Sequence, residues 1–210
     1  MTSEPSYASM VVTDLLDAFA SNEPVPGGGS ASALAAAIGA SLLIMVAGLP
    51  KTKRGAPEEA ADLSEASARL RPLRDELMSL VDDDSDAYKA VVSATRLPKA
   101  TDAEKQARRA AIDTAMRAAT ETPLETMRVC QQAMRGATIV AAAGNPNAAS
   151  DTGVAVELLL AALRGAALNI AVNLKGLSDT SFAARVSEEA RQLEADATAD
   201  AARARELLAG

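Results

Sequence analysis

Apolar positions recur at helical spacing along almost the whole chain. From about residue 8 to residue 20, Val12, Leu15, Leu16 and Phe19 fall on one face of a first amphipathic helix. Beyond Pro24-Val25-Pro26-Gly27-Gly28-Gly29-Ser30, the large apolar residues are Leu34, Ile38, Leu42, Met45 and Leu49, which form one helical stripe. Ala33, Ala36, Ala37 and Ala40, with Gly39 nearby, make a second face where neighbouring backbones can approach closely. The stretch from Pro24 to Pro50 carries no formal charge. A helix apolar all round belongs in a core, so residues 31–49 are expected to be the central helix of a bundle.

The remaining pattern predicts more helices. Pro57 suits a first helical turn, and Leu63, Leu70, Leu73, Leu77 and Leu80 continue a stripe toward Ser93, with a kink or division expected at Pro72. Thr101-Asp102-Ala103-Glu104 is a capping box that opens a helix to about Ala119. Thr122-Pro123-Leu124-Glu125 repeats the start signal for another helix reaching about Ala143. Gly144-Asn145-Pro146-Asn147 reads as a turn, after which Ser150 or Asp151 is expected to cap a long helix ending near Lys175-Gly176. A last amphipathic helix, from about Asp179 to Leu208, carries Phe182, Val186 and Leu193. No internal repeat and no useful strand pattern is present.

Composition narrows this picture to an all-α, single-domain helical bundle over residues 1–210. The chain is 49% hydrophobic with only 2% aromatic residues and no Trp, so Ala, Leu, Val and Met must fill a core of closely packed helices. A net charge of −7 disfavours nucleic-acid binding, which needs a basic surface. The single Cys130 forbids an intramolecular disulfide, and residues 1–10 hold Glu4 without Lys or Arg, unlike a secretory signal. A cytoplasmic protein is expected. Residues 31–49 approach membrane-spanning length, yet their Ala, Gly and Ser content reads as a core helix with no membrane role. The chain has no histidine, so His triads and His-ligated metal sites are excluded. Proton transfer near neutral pH falls to Asp, Glu, Lys, Tyr, Cys, water or the backbone.

Four features then carry candidate chemistry. The glycine loop at the positive end of a helix suits an anion or a carbonyl oxygen, although it equally suits a tight packing turn. Lys51-Thr52-Lys53-Arg54-Gly55 is the densest positive cluster. Asp82-Asp83-Asp84-Ser85-Asp86 is a poor helix former placed on a helix, and an inward carboxylate there would have a raised pKa. Asn169 and Asn173, four apart amid apolar neighbours, need hydrogen-bond partners from another helix or a ligand.

Three separated stretches resemble one known family. They are the Pro24–Ser30 loop with its Ala-rich helix, Leu80–Tyr88 with Leu97-Pro98-Lys99, and Gly144–Val154 continuing through Ala167–Leu174. In order and over nearly the whole chain, they are similar to the cyclodeaminase/cyclohydrolase enzymes of tetrahydrofolate metabolism. The resemblance implies an all-helical homodimer with a folate pocket and no cofactor or metal beyond the tetrahydrofolate substrate. It implies methenyltetrahydrofolate cyclohydrolase activity first, formiminotetrahydrofolate cyclodeaminase activity second. A non-catalytic folate-binding or assembly protein of the same fold is the reading from another class. Asp86 is the expected acid/base carboxylate and Asp151 the second candidate, unless Asp151 only caps its helix. Asn145, Asn169 and Asn173 would bond the pterin or the transferred group, and Gly27, Gly28, Gly29 and Ser30 would offer backbone donors. Lys53 and Arg54 would meet the glutamate carboxylates. Tyr88 is a possible stacking surface, with core packing the plainer reading. The family pattern Thr-x-Gly-Lys-Lys-Lys-Tyr is here Pro50-Lys51-Thr52-Lys53-Arg54-Gly55-Ala56, which keeps two of three basic positions and loses the Tyr.

Overall fold

The structure is a computed structural model that describes residues 6–51 and 57–210. Its helices are α1 (Val12–Phe19), α2 (Gly28–Gly48), α3 (Pro57–Thr95), α4 (Asp102–Ala143), α5 (Ala149–Asn173) and α6 (Thr180–Ala209). Short 3-10 turns at Tyr7–Ser9, Pro146–Ala148 and Leu174–Gly176 complete the described secondary structure. Helix α2 packs on α3, α4 and α5, and α4 also packs on α3, α5 and α6.

The small-residue face of α2 makes the core contact. Ala33, Ala36, Ala37, Gly39 and Ala40 are buried together with Leu43, Ile44 and Val46. A Cβ on Gly39 would stand 3.0 Å from the Ala155 carbonyl oxygen, so glycine lets the two backbones approach closely. Gly28 likewise faces Asn169 and Gly165 faces Ser32, which makes α2 and α5 antiparallel. The large stripe expected inside is only partly so: Ile38 is 48% and Met45 42% exposed, while Leu34 and Leu42 are half-buried against the core. Small side chains let helices approach to van der Waals contact, and that close approach wins the inner face over bulk. Helix α2 and the segment Pro146–Gly176 are long and apolar enough to cross a membrane, but here they pack as core elements of the bundle.

Two prolines fail to break their helices. Pro72 lies within the continuous α3, and the two helices expected on either side of residue 120 are the single 42-residue α4. Pro123 removes the N–H that would bond the Ala119 carbonyl. Asn173 Nδ2 donates to that oxygen at 2.7 Å from α5, so the freed acceptor is satisfied from outside the helix. The capping box is present as expected. Thr101 Oγ1 accepts from the Glu104 N–H, and Glu104 Oε2 accepts from the Thr101 N–H at 2.9 Å and the Ala100 N–H at 2.7 Å. At the start of α5 the cap position is Ala148, so neither Ser150 nor Asp151 caps that helix.

Candidate active site

The acidic run occupies one and a half turns of α3, where successive side chains point about 100° apart. Asp82 accepts from the Tyr7 N–H at 2.7 Å and from the Ser6 hydroxyl, tying down the N-terminal segment. Asp83 is exposed, and partial burial followed by the Asp86 and Asp82 charges raises its carboxyl above the ordinary range. Asp84 turns inward, Ser85 is buried, and Asp86 turns out to solvent with its side chain 74% exposed beside Lys89 Nζ at 3.5 Å. The inward carboxylate is therefore Asp84 rather than Asp86. Leu77, Leu80 and Asp84 continue one stripe at i, i+3 and i+7, whereas Asp86, two residues on, faces nearly the opposite way.

Asp84 locks onto the first turn of α2. Its Oδ2 accepts from the Ser30 N–H at 2.8 Å and from Ser30 Oγ at 3.0 Å. Ser30 Oγ also lies 3.2 Å from Ser85 Oγ. A Cβ on Gly29 would stand 2.0 Å from Asp84 Oδ1, so glycine is required for the carboxylate to come this close. Burial raises the Asp84 pKa, while the two Ser30 hydrogen bonds pull it back in part. The positive end of α2 thus meets a partly desolvated carboxylate whose Oδ1 has no hydrogen bond among the described residues.

Asp84 lines a cavity of about 300 Å³ whose other polar walls are Asn169 and Asn173. Gly27, Gly28, Pro24, Val25 and Tyr88 close one side, and Met116 and Ala119 the other. Asn169 Nδ2 donates to the Gly165 carbonyl at 2.9 Å, as Asn173 Nδ2 does to Ala119. Each amide nitrogen spends one of its two N–H groups on a backbone carbonyl, which leaves one N–H and the Oδ1 acceptor on each side chain. A carboxylate and two amides with free acceptor oxygens therefore line one small cavity, a wall suited to a cationic heterocycle with a polar edge. The expected donors of the glycine loop are reduced by one, because the Ser30 N–H is spent on Asp84.

Other sequence candidates lie elsewhere. Asn145 Nδ2 donates to the Pro50 carbonyl at 2.7 Å and its Oδ1 accepts from the Asn147 N–H, so it latches the far end of α2. Asp151 stands in the first turn of α5 at that same far end and does not line the cavity. The 21 residues of α2 separate this end from Gly28 by about 30 Å. Lys53 and Arg54 lie outside the described residues. Tyr88 is 43% exposed at the cavity mouth, which corrects the plainer expectation that it packs in the core. Cys130 is fully buried, and burial pushes its thiol up to about 12, so it offers no thiolate nucleophile.

Comparison with known proteins gives a consistent set of likenesses. Residues 11–192 match the formiminotransferase-cyclodeaminase family. The chain is 45% identical over 188 residues to a methenyltetrahydrofolate cyclohydrolase of Methylorubrum extorquens, covering 90% of each chain. It is 32% identical over 168 residues to a formimidoyltransferase-cyclodeaminase of Gallus gallus, covering 80% of this chain but only 31% of that longer protein. The crystal structure of a formiminotetrahydrofolate cyclodeaminase from Thermotoga maritima superposes with a TM-score of 0.86 at 26% identity, covering 96% of this chain and 97% of that one.

Proposed function

The chain belongs to the formiminotransferase-cyclodeaminase family, and on that premise we propose that it is a methenyltetrahydrofolate cyclohydrolase, converting 5,10-methenyltetrahydrofolate and water to 10-formyltetrahydrofolate. The observation that carries this choice within the family is the 45% identity to a cyclohydrolase over 90% of both chains. The cyclodeaminases of Gallus gallus and Thermotoga maritima are less similar, at 32% and 26% identity.

The cavity supports a mechanism of charge stabilisation and proton transfer. The methenyl carbon bridges N5 and N10 in a cationic amidine, which the Asp84 carboxylate attracts across the cavity. Water adds to that carbon, a C–O bond forms, and Asp84 Oδ1 takes the proton that the water releases. Asp84 then returns a proton to N5 as the C–N5 bond breaks. The hydroxyl proton leaves to solvent as the formyl C=O forms on N10, so one proton is released per turnover. The Ser30 hydrogen bonds fix the carboxylate through both transfers and keep its pKa from rising further. Asn169 and Asn173 Oδ1 accept from the N–H edge of the pterin and orient it. The pathway needs no cofactor beyond the folate substrate.

In this reading the protein acts as one helical domain in the cytoplasm, without a nucleic-acid or membrane partner, and forms a homodimer. Exposed apolar side chains on α2 and α5, among them Ile38, Met45, Val154 and Leu168, support the pairing of two copies. Sedimentation equilibrium checks the dimer, and a monomer at micromolar concentration would refute it. The activity is tested by mixing purified protein with 5,10-methenyltetrahydrofolate and following loss of its near-UV absorption against a buffer blank. Accelerated loss with 10-formyltetrahydrofolate as product is expected. Ammonia release from formiminotetrahydrofolate without that activity would instead identify a cyclodeaminase.

A further inference from the structure

Asn169 and Asn173 stand four apart on α5, yet they anchor their amides differently. Asn169 Nδ2 donates to the Gly165 carbonyl, four residues back in its own helix, at 2.9 Å. The equivalent acceptor for Asn173 is the Asn169 carbonyl, but its Nδ2 crosses to α4 and donates to the Ala119 carbonyl at 2.7 Å. Pro123 supplies the difference, because it has no N–H for that oxygen and its ring crowds the carbonyl of the preceding turn. Met116, Ala119 and Pro123 stand at i, i+3 and i+7 on one face of α4. Pro123 is buried, and Met116, Ala119 and Asn173 line the Asp84 cavity. A carbonyl oxygen only accepts, so the bond to Ala119 also decides which end of the Asn173 amide faces α4. One N–H is spent there, and Oδ1 with the second N–H is left for a ligand.

We propose that Pro123 is a positioning residue of this site: by leaving the Ala119 carbonyl without a donor in α4, it anchors the Asn173 amide in one orientation toward the bound heterocycle. The identity of that ligand rests on the folate reading above, whereas the anchoring rests on α4 and α5 alone. The end of α5 is seated by other contacts that do not need the proline. A Cβ on Gly176 would stand 2.8 Å from Met116 Cε, so the turn after α5 lies directly on α4. Ser178 Oγ donates to Asp113 Oδ2 at 3.0 Å, and Arg117 pairs with Asp179. An N–H restored at position 123 therefore releases the amide and leaves the helix in place. The new backbone donor takes the Ala119 carbonyl as in any helical turn. Asn173 then shares that oxygen or turns back to the Asn169 carbonyl, the arrangement Asn169 itself adopts with Gly165.

The test is a double-mutant cycle of Pro123→Ala and Asn173→Ala, read as KM and kcat on 5,10-methenyltetrahydrofolate. Pro123→Ala is expected to raise KM about three- to tenfold, the scale of one misdirected hydrogen bond, with kcat within about twofold of wild type. Asn173→Ala should raise KM at least as far, and the double variant should match Asn173→Ala alone, because the proline acts through that amide. Losses that multiply in the double variant, or an unchanged KM in Pro123→Ala, overturn the proposal. Pro72→Ala, at the proline inside α3 and outside this cavity, should leave KM unchanged; an equal rise there would mark a general effect of helix prolines and overturn the assignment. Pro123→Val, which restores the N–H with more of the ring's bulk, takes the place of the alanine variant if that one does not fold. Side-chain amide hydrogen exchange by NMR, on the protein without ligand, separates the anchor from the folate reading. The Asn173 amide signals, assigned by their loss in Asn173→Ala, should be protected in the wild type and exchange several-fold faster in Pro123→Ala. If that difference appears in a protein that turns over no methenyl substrate, the anchor stands and the cyclohydrolase reading fails. Equal exchange in the two proteins removes the anchor whatever the activity.

Discussion

Replacing Asp84 with Asn separates the chemistry of the carboxylate from its structural work. The amide is nearly isosteric, and its oxygen can stand where Oδ2 accepts from the Ser30 N–H and Oγ at 2.8 and 3.0 Å. Two charge-assisted bonds become neutral ones, a loss of about 1 kcal/mol, while the cost of burying a charge disappears. Net stability should change by no more than about 1 kcal/mol. Turnover should fall by about 10² to 10⁴, or about 3–5 kcal/mol of barrier, because the variant can neither take the proton from water nor balance the cation. The assay is kcat on methenyltetrahydrofolate beside a thermal melt of the same preparation. Asp86→Asn is the paired comparison: with its side chain 74% exposed, its loss should leave kcat within about twofold. An inactive Asp86→Asn beside an active Asp84→Asn would refute the reasoning. The pH profile gives a second reading of the same group. Burial raises the Asp84 pKa above 3.8, so the acidic limb of kcat/KM should lie above the ordinary carboxylate range and vanish in the variant. The sign for stability is opposite to that of a salt-bridged carboxylate. Stability from this group is fully present below its unfolded pKa and is lost as pH rises through the higher folded value. Asp84→Asn should therefore be relatively more stable than wild type at neutral pH than at acidic pH.

Two other substitutions test neighbouring parts of the argument. Gly29→Ala puts a Cβ 2.0 Å from Asp84 Oδ1, so the carboxylate must swing away and release Ser30; a loss of about 2–3 kcal/mol in chemical denaturation and a fall in kcat comparable to that of Asp84→Asn are expected. Thr101→Ala removes one side of the capping box at the start of α4, far from the cavity, and should cost about 1 kcal/mol, or roughly 2–4 °C in Tm, with turnover unchanged.

The helical periodicity made the fold legible, since each long apolar repeat became a helix and the capping box marked the start of α4 at its observed residue. Periodicity reports which residues share a face, however, and not which face turns inward. On α2 the choice fell to Ala33, Ala36, Ala37 and Ala40, because a helix with small residues gains more contact by approaching closely than by presenting Ile38 and Met45. Proline misled for a related reason. Pro123 leaves the Ala119 carbonyl without its helical donor, and the residue that pairs it, Asn173, lies 54 residues from Ala119. The same long-range amide marks one wall of the cavity, so the residue that rescues α4 also shapes the site. For the inward carboxylate, the apolar stripe itself carries the information. The stripe Leu77–Leu80 predicts its next inward position three or four residues on, at Asp84, and Asp86 falls beyond it. Gly29 supplied an independent sign that was visible only once its target was known. A glycine in the first turn of a helix is unremarkable until another helix brings a carboxylate within 2.0 Å of where its side chain would be. The two helices then specify each other, since Asp84 needs the donors of Ser30 to be buried and Gly29 must lack a side chain to admit it.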